Sequence, residues 1–304
     1  MARVRSTEVL YKKIATGLLA GQADWRDDAM RAVRAIAARR ADAGWSAATW
    51  RLYRASLRWY LAESGFPEAA EWISWARTPM DPAAAQPLRG AQKKLKRLTA
   101  RDLLLLCGEL GGLRSRYAEA AMVWLHAGLL TGLRPVEWRS SRIEGSTLIV
   151  RNAKATNGRA NGAERRLLLH NFSEPERLVI RRMAEIAAEH SDFGKLYQGV
   201  RKTVAIAGAR VWPKRIRRPS LYSARHQWAA NAKRVYDRRT VAALAGHASE
   251  DTATRHYARR AVGEEANLPV PDGAGLAAVR RATRRRTADS ALAARQRPDD
   301  ERRS

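Results

Sequence analysis

Apolar positions recur with a helical period through the first quarter of the chain. From Val9 to about Arg77 the pattern breaks near Gly21-Gln22, Ala43-Gly44 and Gly65-Phe66-Pro67, which predicts short helices separated by turns. The best-marked helix starts after Ser46, whose hydroxyl can accept from an otherwise unpaired N–H of the first turn. Within it Trp50, Tyr53, Leu57 and Leu61 form one apolar stripe, while Arg51, Arg54 and Arg58 recur on another face. The periodicity stops between Thr78 and Gly90, where three prolines mark a linker. Thr99 then predicts the N-cap of a helix through Leu103–Leu106 and Cys107, and Met122–Leu130 predicts a further apolar helix ending at Gly132.

Beyond Gly132 the period shortens. Ser146-Thr-Leu-Ile-Val-Arg reads as a strand, Asn157-Gly158 and Asn161-Gly162 as turns, and Glu164-Arg-Arg-Leu-Leu-Leu-His as the returning strand. Helical patterns resume at Pro175–Glu189, Arg225–Val235, Arg239–Leu244 and Thr252–Arg260. The expected fold is mainly α, with a small β-hairpin or sheet in the second of two domains. The expected boundaries are a helical domain over 1–78, a linker over 79–97, a second domain over 98–262, and a basic, mobile tail over 263–304.

Charge narrows the function. The 304 residues carry 57 Lys+Arg against 30 Asp+Glu, a net charge of +27, and 47 of the basic residues are Arg. Self-repulsion on this scale favours a polyanionic partner, and Arg presents a planar fork suited to phosphate. Nucleic acid, double-stranded DNA included, is the expected partner, with a membrane surface or an acidic protein as the alternatives. Candidate phosphate contacts are Arg51, Arg54 and Arg58, the cluster Lys93, Lys94, Lys96 and Arg97, and Lys214, Arg215, Arg217 and Arg218 in a stretch with no acidic residue from Arg201 to Arg218. An ordinary solvated helix face is the competing reading of the first three. No run of about 18 apolar residues is present to span a membrane, and the N-terminus lacks the apolar core of a signal peptide. The single cysteine, Cys107, excludes an internal disulfide framework or a Cys-rich zinc module, and its leucine-rich surroundings read as core. A cytoplasmic protein, nucleoid-associated when bound to DNA, without metal or cofactor, is expected.

Four local patterns carry candidate chemistry. They are Thr131-Gly-Leu-Arg134-Pro-Val-Glu137-Trp138; Lys154 in Arg151-Asn-Ala-Lys154-Ala-Thr-Asn-Gly158; Leu221-Tyr222-Ser-Ala-Arg225-His226-Gln-Trp; and Leu244-Ala-Gly246-His247, followed by His256-Tyr257-Ala-Arg-Arg. In this order and spacing, over roughly Leu98–Arg260, they resemble the tyrosine recombinases, the phage-integrase-like site-specific recombinases. The helical N-terminal segment is similar to that family's core-binding domain. The resemblance implies a two-domain, C-shaped DNA clamp that exchanges strands at specific sites as a homo-tetramer on two duplexes, a monomer or weak oligomer when free, with accessory DNA-bending proteins as further partners. The chain is expected to start at the core-binding domain, with no separate arm-site module before it.

Metal-free phosphodiester exchange needs charge neutralisation on a non-bridging oxygen, a nucleophile, and an acid for the 5′-oxygen. The resemblance assigns Arg134 and Arg225 to the phosphate, Tyr257 to attack, Lys154 to protonation of the leaving group and His247 to a hydrogen bond on the phosphate. Glu137 is expected to orient Arg134, and His226 to pack or support. Ordinary structural readings remain beside these: Lys154 as a solvated turn lysine, Glu137 as a helix-surface charge, Tyr257 as a packed aromatic. Two departures stand out: Tyr222 occupies a position that is usually His, and ten residues rather than nine separate His247 from Tyr257. A type IB topoisomerase-like enzyme, a telomere resolvase and a DNA-binding protein without activity are the alternatives.

Overall fold

The computed structural model describes residues 5–40, 43–76, 95–155, 160–250 and 262–281. Contacts divide the chain into two compact units, Met1–Ala91 and Gln92–Ser304.

The first unit holds helices α1 (Arg5–Leu19), α2 (Ala29–Ala38), α3 (Ala47–Glu63) and α4 (Pro67–Trp75). Ser46 caps α3 by accepting from the Thr49 N–H at 3.1 Å, as the sequence predicts. The stripe of α3 does the packing: Trp50, Leu57 and Leu61 are buried against Leu19, Val33, Ile36 and Ile73, and Trp45 stacks on Trp50 at 6.0 Å. The opposite face corrects one expectation. Arg51 and Arg58 are exposed, but Arg54 is half-buried; its Nε donates to the Ile73 carbonyl at 3.1 Å and its Nη2 to that of Ser74. Arg54 therefore caps the C-terminal end of α4, where free carbonyls favour a cation, and is a fold residue rather than a DNA contact.

The second unit contains α5 (Ala100–Gly111), α6 (Ala118–Thr131), a 3₁₀ turn (Pro135–Ser140), strands β1 (Arg142–Glu144), β2 (Thr147–Arg151) and β3 (Glu164–Leu168), then α7 (Glu174–Glu189), α8 (Phe193–Val211), α9 (Leu221–Val235), α10 (Arg238–Ala245), β4 (Val270–Pro271) and α11 (Gly273–Ala277). Thr99 caps α5 in a reciprocal box with Asp102. Apolar α6 is central: Ala121, Trp124 and Leu125 are buried, with α7 on one side and α9 on another. The sheet is antiparallel in the order β1-β2-β3-β4, with Leu148 opposite Leu167 and Val150 opposite Arg165.

Three elements differ from expectation. The basic stretch from Arg201 begins inside α8, whose buried side, with Leu196, Val200, Val204 and Ala207, packs on α5. Helix α9 starts at Leu221, which places Tyr222 in its first turn. Residues 263–281 form part of the second unit instead of a mobile tail: Val270 and Pro271 pair with Leu168 and Leu167, Leu268 joins the core, and Val279 and Leu276 pack on Ala242 and Ala243. A two-residue strand and a five-residue helix are too short to leave a hydrophobic period in the sequence. The expected helix over Thr252–Arg260 and the tail beyond Arg281 lie outside the described residues.

Candidate active site

Two motifs of the second unit close a helix at a glycine turn just before a site residue, and a third carries Arg225 inside α9. Helix α6 closes at Gly132 with φ +65°, and a Cβ there would meet the Trp228 ring at 2.1 Å. Only glycine fits both the left-handed backbone and the close ring. The chain then passes Leu133 and Arg134 into the 3₁₀ turn. Pro135 fixes the first position of that turn, and the Glu137 carboxylate accepts from the Arg134 N–H at 2.8 Å. Helix α10 closes likewise at Gly246, φ +68°, which leads directly into His247.

Glu137 is the hub. Its carboxylate receives Arg134 Nη1 at 2.6 Å and Arg165 Nη2 at 2.8 Å, and Arg225 Nη1 lies 3.9 Å away. Arg225 is fully buried; it donates from Nη1 to the Gly132 carbonyl and from Nη2 to that of Ala245 at 2.9 Å. His247 Nε2 stands 3.4 Å from Arg225 Nη2. The carbonyls of Leu244 and Ala245, at the C-terminal end of α10, thus receive two of the buried guanidiniums, where the helix dipole favours cations.

Burial and charge set the protonation states. Burial alone raises the Glu137 carboxyl, but the guanidiniums of Arg165, Arg225 and Arg134 outweigh it and hold the group well below the usual carboxylate range. Glu137 is therefore an anion. His247 moves in one direction only: burial, then Arg225, Arg134 and Arg165, lower its pKa to about 2 against a weaker pull from Glu137. Its imidazole is neutral in this ligand-free site.

The structure brings Arg134, Glu137, Arg225 and His247 together as the sequence predicts. Lys154 is exposed on the turn after β2; the N–H of the preceding residue, Ala153, points at Glu137 Oε1 at 3.4 Å, so that turn begins at the cluster. Tyr222 is half-buried, one helical turn before Arg225, and His226 is half-buried next to it. Tyr257, Lys93 and Lys94 lie outside the described residues. Of the remaining candidate phosphate contacts, Lys96, Arg97, Lys214 and Arg217 are exposed. Arg218 is half-buried and donates to the Trp212 and Pro213 carbonyls at 3.0 Å each, so it braces the turn after α8 and is corrected to a fold residue. Arg215 pairs with Asp102 at 3.3 Å and lies over the Trp212 ring at 4.7 Å, contacts that compete with any phosphate.

Sequence reasoning missed three residues of this network. Arg165 on β3 is buried and grips Glu137; Asn152 accepts from Arg165 and donates to Asn161 Oδ1 at 3.1 Å; Asn161 donates to the Ala243 carbonyl at 3.1 Å. The strand alternation held a signal, since Arg165 shares the inward face of β3 with Leu167. Among the described residues, no group of three or more His, Cys, Asp or Glu could hold a metal ion, and no helix is long and apolar enough to cross a membrane.

Comparison with solved structures decides the fold. Lambda integrase bound as a dimer to a COC′ core site superposes with a TM-score of 0.56 at 15% identity, over 87% of this chain and 75% of that one. The chain has the fold of a tyrosine recombinase. The lambda integrase tetramer on a Holliday junction gives a TM-score of 0.55 at 15% identity, over 87% and 74% of the two chains. No family model and no curated protein matches the sequence.

Proposed function

We propose that the chain is a site-specific DNA recombinase that cleaves and rejoins strands through a 3′-phosphotyrosine. The observation that carries this reading is the meeting of Arg134, Arg225 and His247 around the buried Glu137 anion, on a fold shared with a DNA-bound integrase.

In this reading the scissile phosphate enters beside Arg134 and Arg225, whose guanidiniums neutralise its non-bridging oxygens and the charge that grows on them in the transition state. A phosphate dianion-like transition state beside His247 raises the imidazole's affinity for a proton and makes it a hydrogen-bond donor. The Tyr257 oxygen forms the new bond to phosphorus as the bond to the 5′-oxygen breaks; Lys154 gives its proton to that oxygen, and the Tyr257 proton leaves to water. The phosphotyrosine retains the bond energy, so attack by a second strand's 5′-hydroxyl reverses the step without a cofactor. Tyr222, whose phenol carries an O–H donor, holds the phosphate by a hydrogen bond and does not act as a base. By likeness to the integrase assemblies, the working form is a tetramer that holds two duplexes, and the surplus charge draws in DNA.

The test is covalent trapping. Duplexes enriched from a randomised pool by binding to the full chain are nicked at successive positions, so that the leaving fragment diffuses away. A denaturing gel is expected to show a protein–DNA adduct with the natural chain and none with Tyr257→Phe, which still binds. An adduct that survives in Tyr257→Phe, or none with the natural chain on any nicked duplex, overturns the proposal.

A further inference from the structure

The cluster holds one arginine more than a phosphate clamp uses. Arg165 enters from the sheet side, 3% exposed, and its donors are committed to the protein: Nε to the Leu244 carbonyl at 2.9 Å, Nη1 to Glu137 Oε1 at 3.3 Å and to Asn152 Oδ1, and Nη2 to Glu137 Oε2 at 2.8 Å. Arg134 is placed differently, because Glu137 Oε1 is the one side-chain partner of its guanidinium among the described residues. Arg165 is thus held by the protein at all three of its nitrogens, while Arg134 keeps donors for a ligand.

We propose that Arg165 is a positioning residue: by gripping both oxygens of Glu137 from the sheet, it fixes the carboxylate plane that aims Arg134 and Arg225, and it does not touch the substrate. This rests on the function proposed above. The geometry gives the reason. A fork on both carboxylate oxygens removes rotation about the last bond of the Glu137 side chain. Oε1 then meets Arg134 Nη1, and Oε2 meets the Arg134 N–H with Arg225 Nη1 3.9 Å away. Without that grip the carboxylate is free to turn and pair bidentately with either clamp arginine, which withdraws donors from the phosphate. The same guanidinium ties the hub to α10, since it holds the Leu244 carbonyl and lies 2.7 Å from the place a Gly246 Cβ would occupy. The hub and the turn that delivers His247 therefore share one anchor.

The experiment uses the full chain with Arg165→Lys and Arg165→Gln, the nicked duplexes of the trapping assay, and three readouts: duplex affinity across salt, single-turnover adduct formation at saturating protein, and thermal melting. Lysine keeps the charge but cannot fork. Arg165→Lys is expected to melt as a folded protein and bind DNA within about two-fold of the natural chain with the same salt slope. It is expected to form adduct about 10–100-fold more slowly, the range for outer residues that orient a reacting group. In a Glu137→Gln background, where no carboxylate remains to be aimed, adding Arg165→Lys is expected to change the remaining rate by less than about two-fold. Adduct formation by Arg165→Lys at the natural rate overturns the inference and leaves the proposed function standing. In Arg165→Gln, which removes the charge, the salt slope is expected to stay unchanged; a slope reduced by about 0.9 shows direct phosphate contact and also overturns the inference. Effects of the two substitutions that simply multiply, or an Arg165→Lys chain that does not fold, assign Arg165 to the core instead. No adduct with the natural chain removes both readings.

Discussion

Burial, with the guanidiniums beside it, holds His247 neutral, the same guanidiniums hold Glu137 as an anion, and this has a signature in pH. The His247 pKa is lowered in the folded state to about 2, from about 6.5 unfolded. Its contribution to stability is fully present above about pH 6.5 and is lost as pH falls, because the unfolded chain takes up the proton that the fold refuses. Glu137, also lowered, adds a second loss that begins below about pH 4.3. The melting temperature of the DNA-free chain is therefore expected to fall in two stages on acidification from pH 8 to pH 3. His247→Gln should reduce the first stage, to which His126, its pKa also lowered, contributes, and spare the second; an unchanged slope between pH 6.5 and 5 in that variant would contradict the burial argument. At this scale the sequence told part of the story. Arg134, Glu137 and His247 were legible because turn residues frame them, and Arg225 because its box resembles the family's. Arg165 and Arg54 were hidden by composition: among 47 arginines, nothing but burial separates one that holds carbonyls or a carboxylate from one that faces water.

The elements that carry the site depend on two tight turns, and the one at Gly246 couples an element's end to the cluster. A methyl group there would lie 2.5 Å from Asn152 Oδ1 and 2.7 Å from Arg165 Nη1, at a φ of +68°. Gly246→Ala combines backbone strain with overpacking, each of about 1–3 kcal/mol. A loss of about 2–6 kcal/mol is expected in urea unfolding, together with slower adduct formation, since the group displaced is the hub's anchor. Unaltered unfolding would mean that the α10 turn has room to relax. Helix starts were the most legible elements, because Ser46 and Thr99 announce themselves by side-chain chemistry and both cap as expected. The hairpin was legible from the apolar run Leu148-Ile-Val150, the alternation of β3 and the Asn-Gly pairs between them. β4 and α11 were not, because their place is set by what they cover, the free edge of β3 and the face of α10, and not by any period of their own.

For the whole molecule, the sign and size of the charge were plain from the sequence, but its distribution was not. Arg51, Arg58, Lys96, Arg97, Lys214 and Arg217 are exposed, while Arg54 and Arg218 are turned inward to carbonyls. If the exposed set meets DNA phosphates, log affinity should fall with log salt by about 5, at about 0.9 per phosphate. Arg217→Ala should lower that slope by about 0.9 with little change in melting. Arg218→Ala should do the reverse and lower the melting temperature with the slope intact. Titrations of duplex binding from 50 to 300 mM salt, run beside thermal melts, separate the two classes; equal slopes for all variants would place the surplus charge away from DNA.

Among the described residues, three guanidiniums gather around one carboxylate, with His247 neutral beside them. An enclosed imbalance of that kind lowers the stability of the empty fold, and any anion that enters relieves it. Affinity for a phosphate and tension in the unliganded protein are then one quantity seen from two sides.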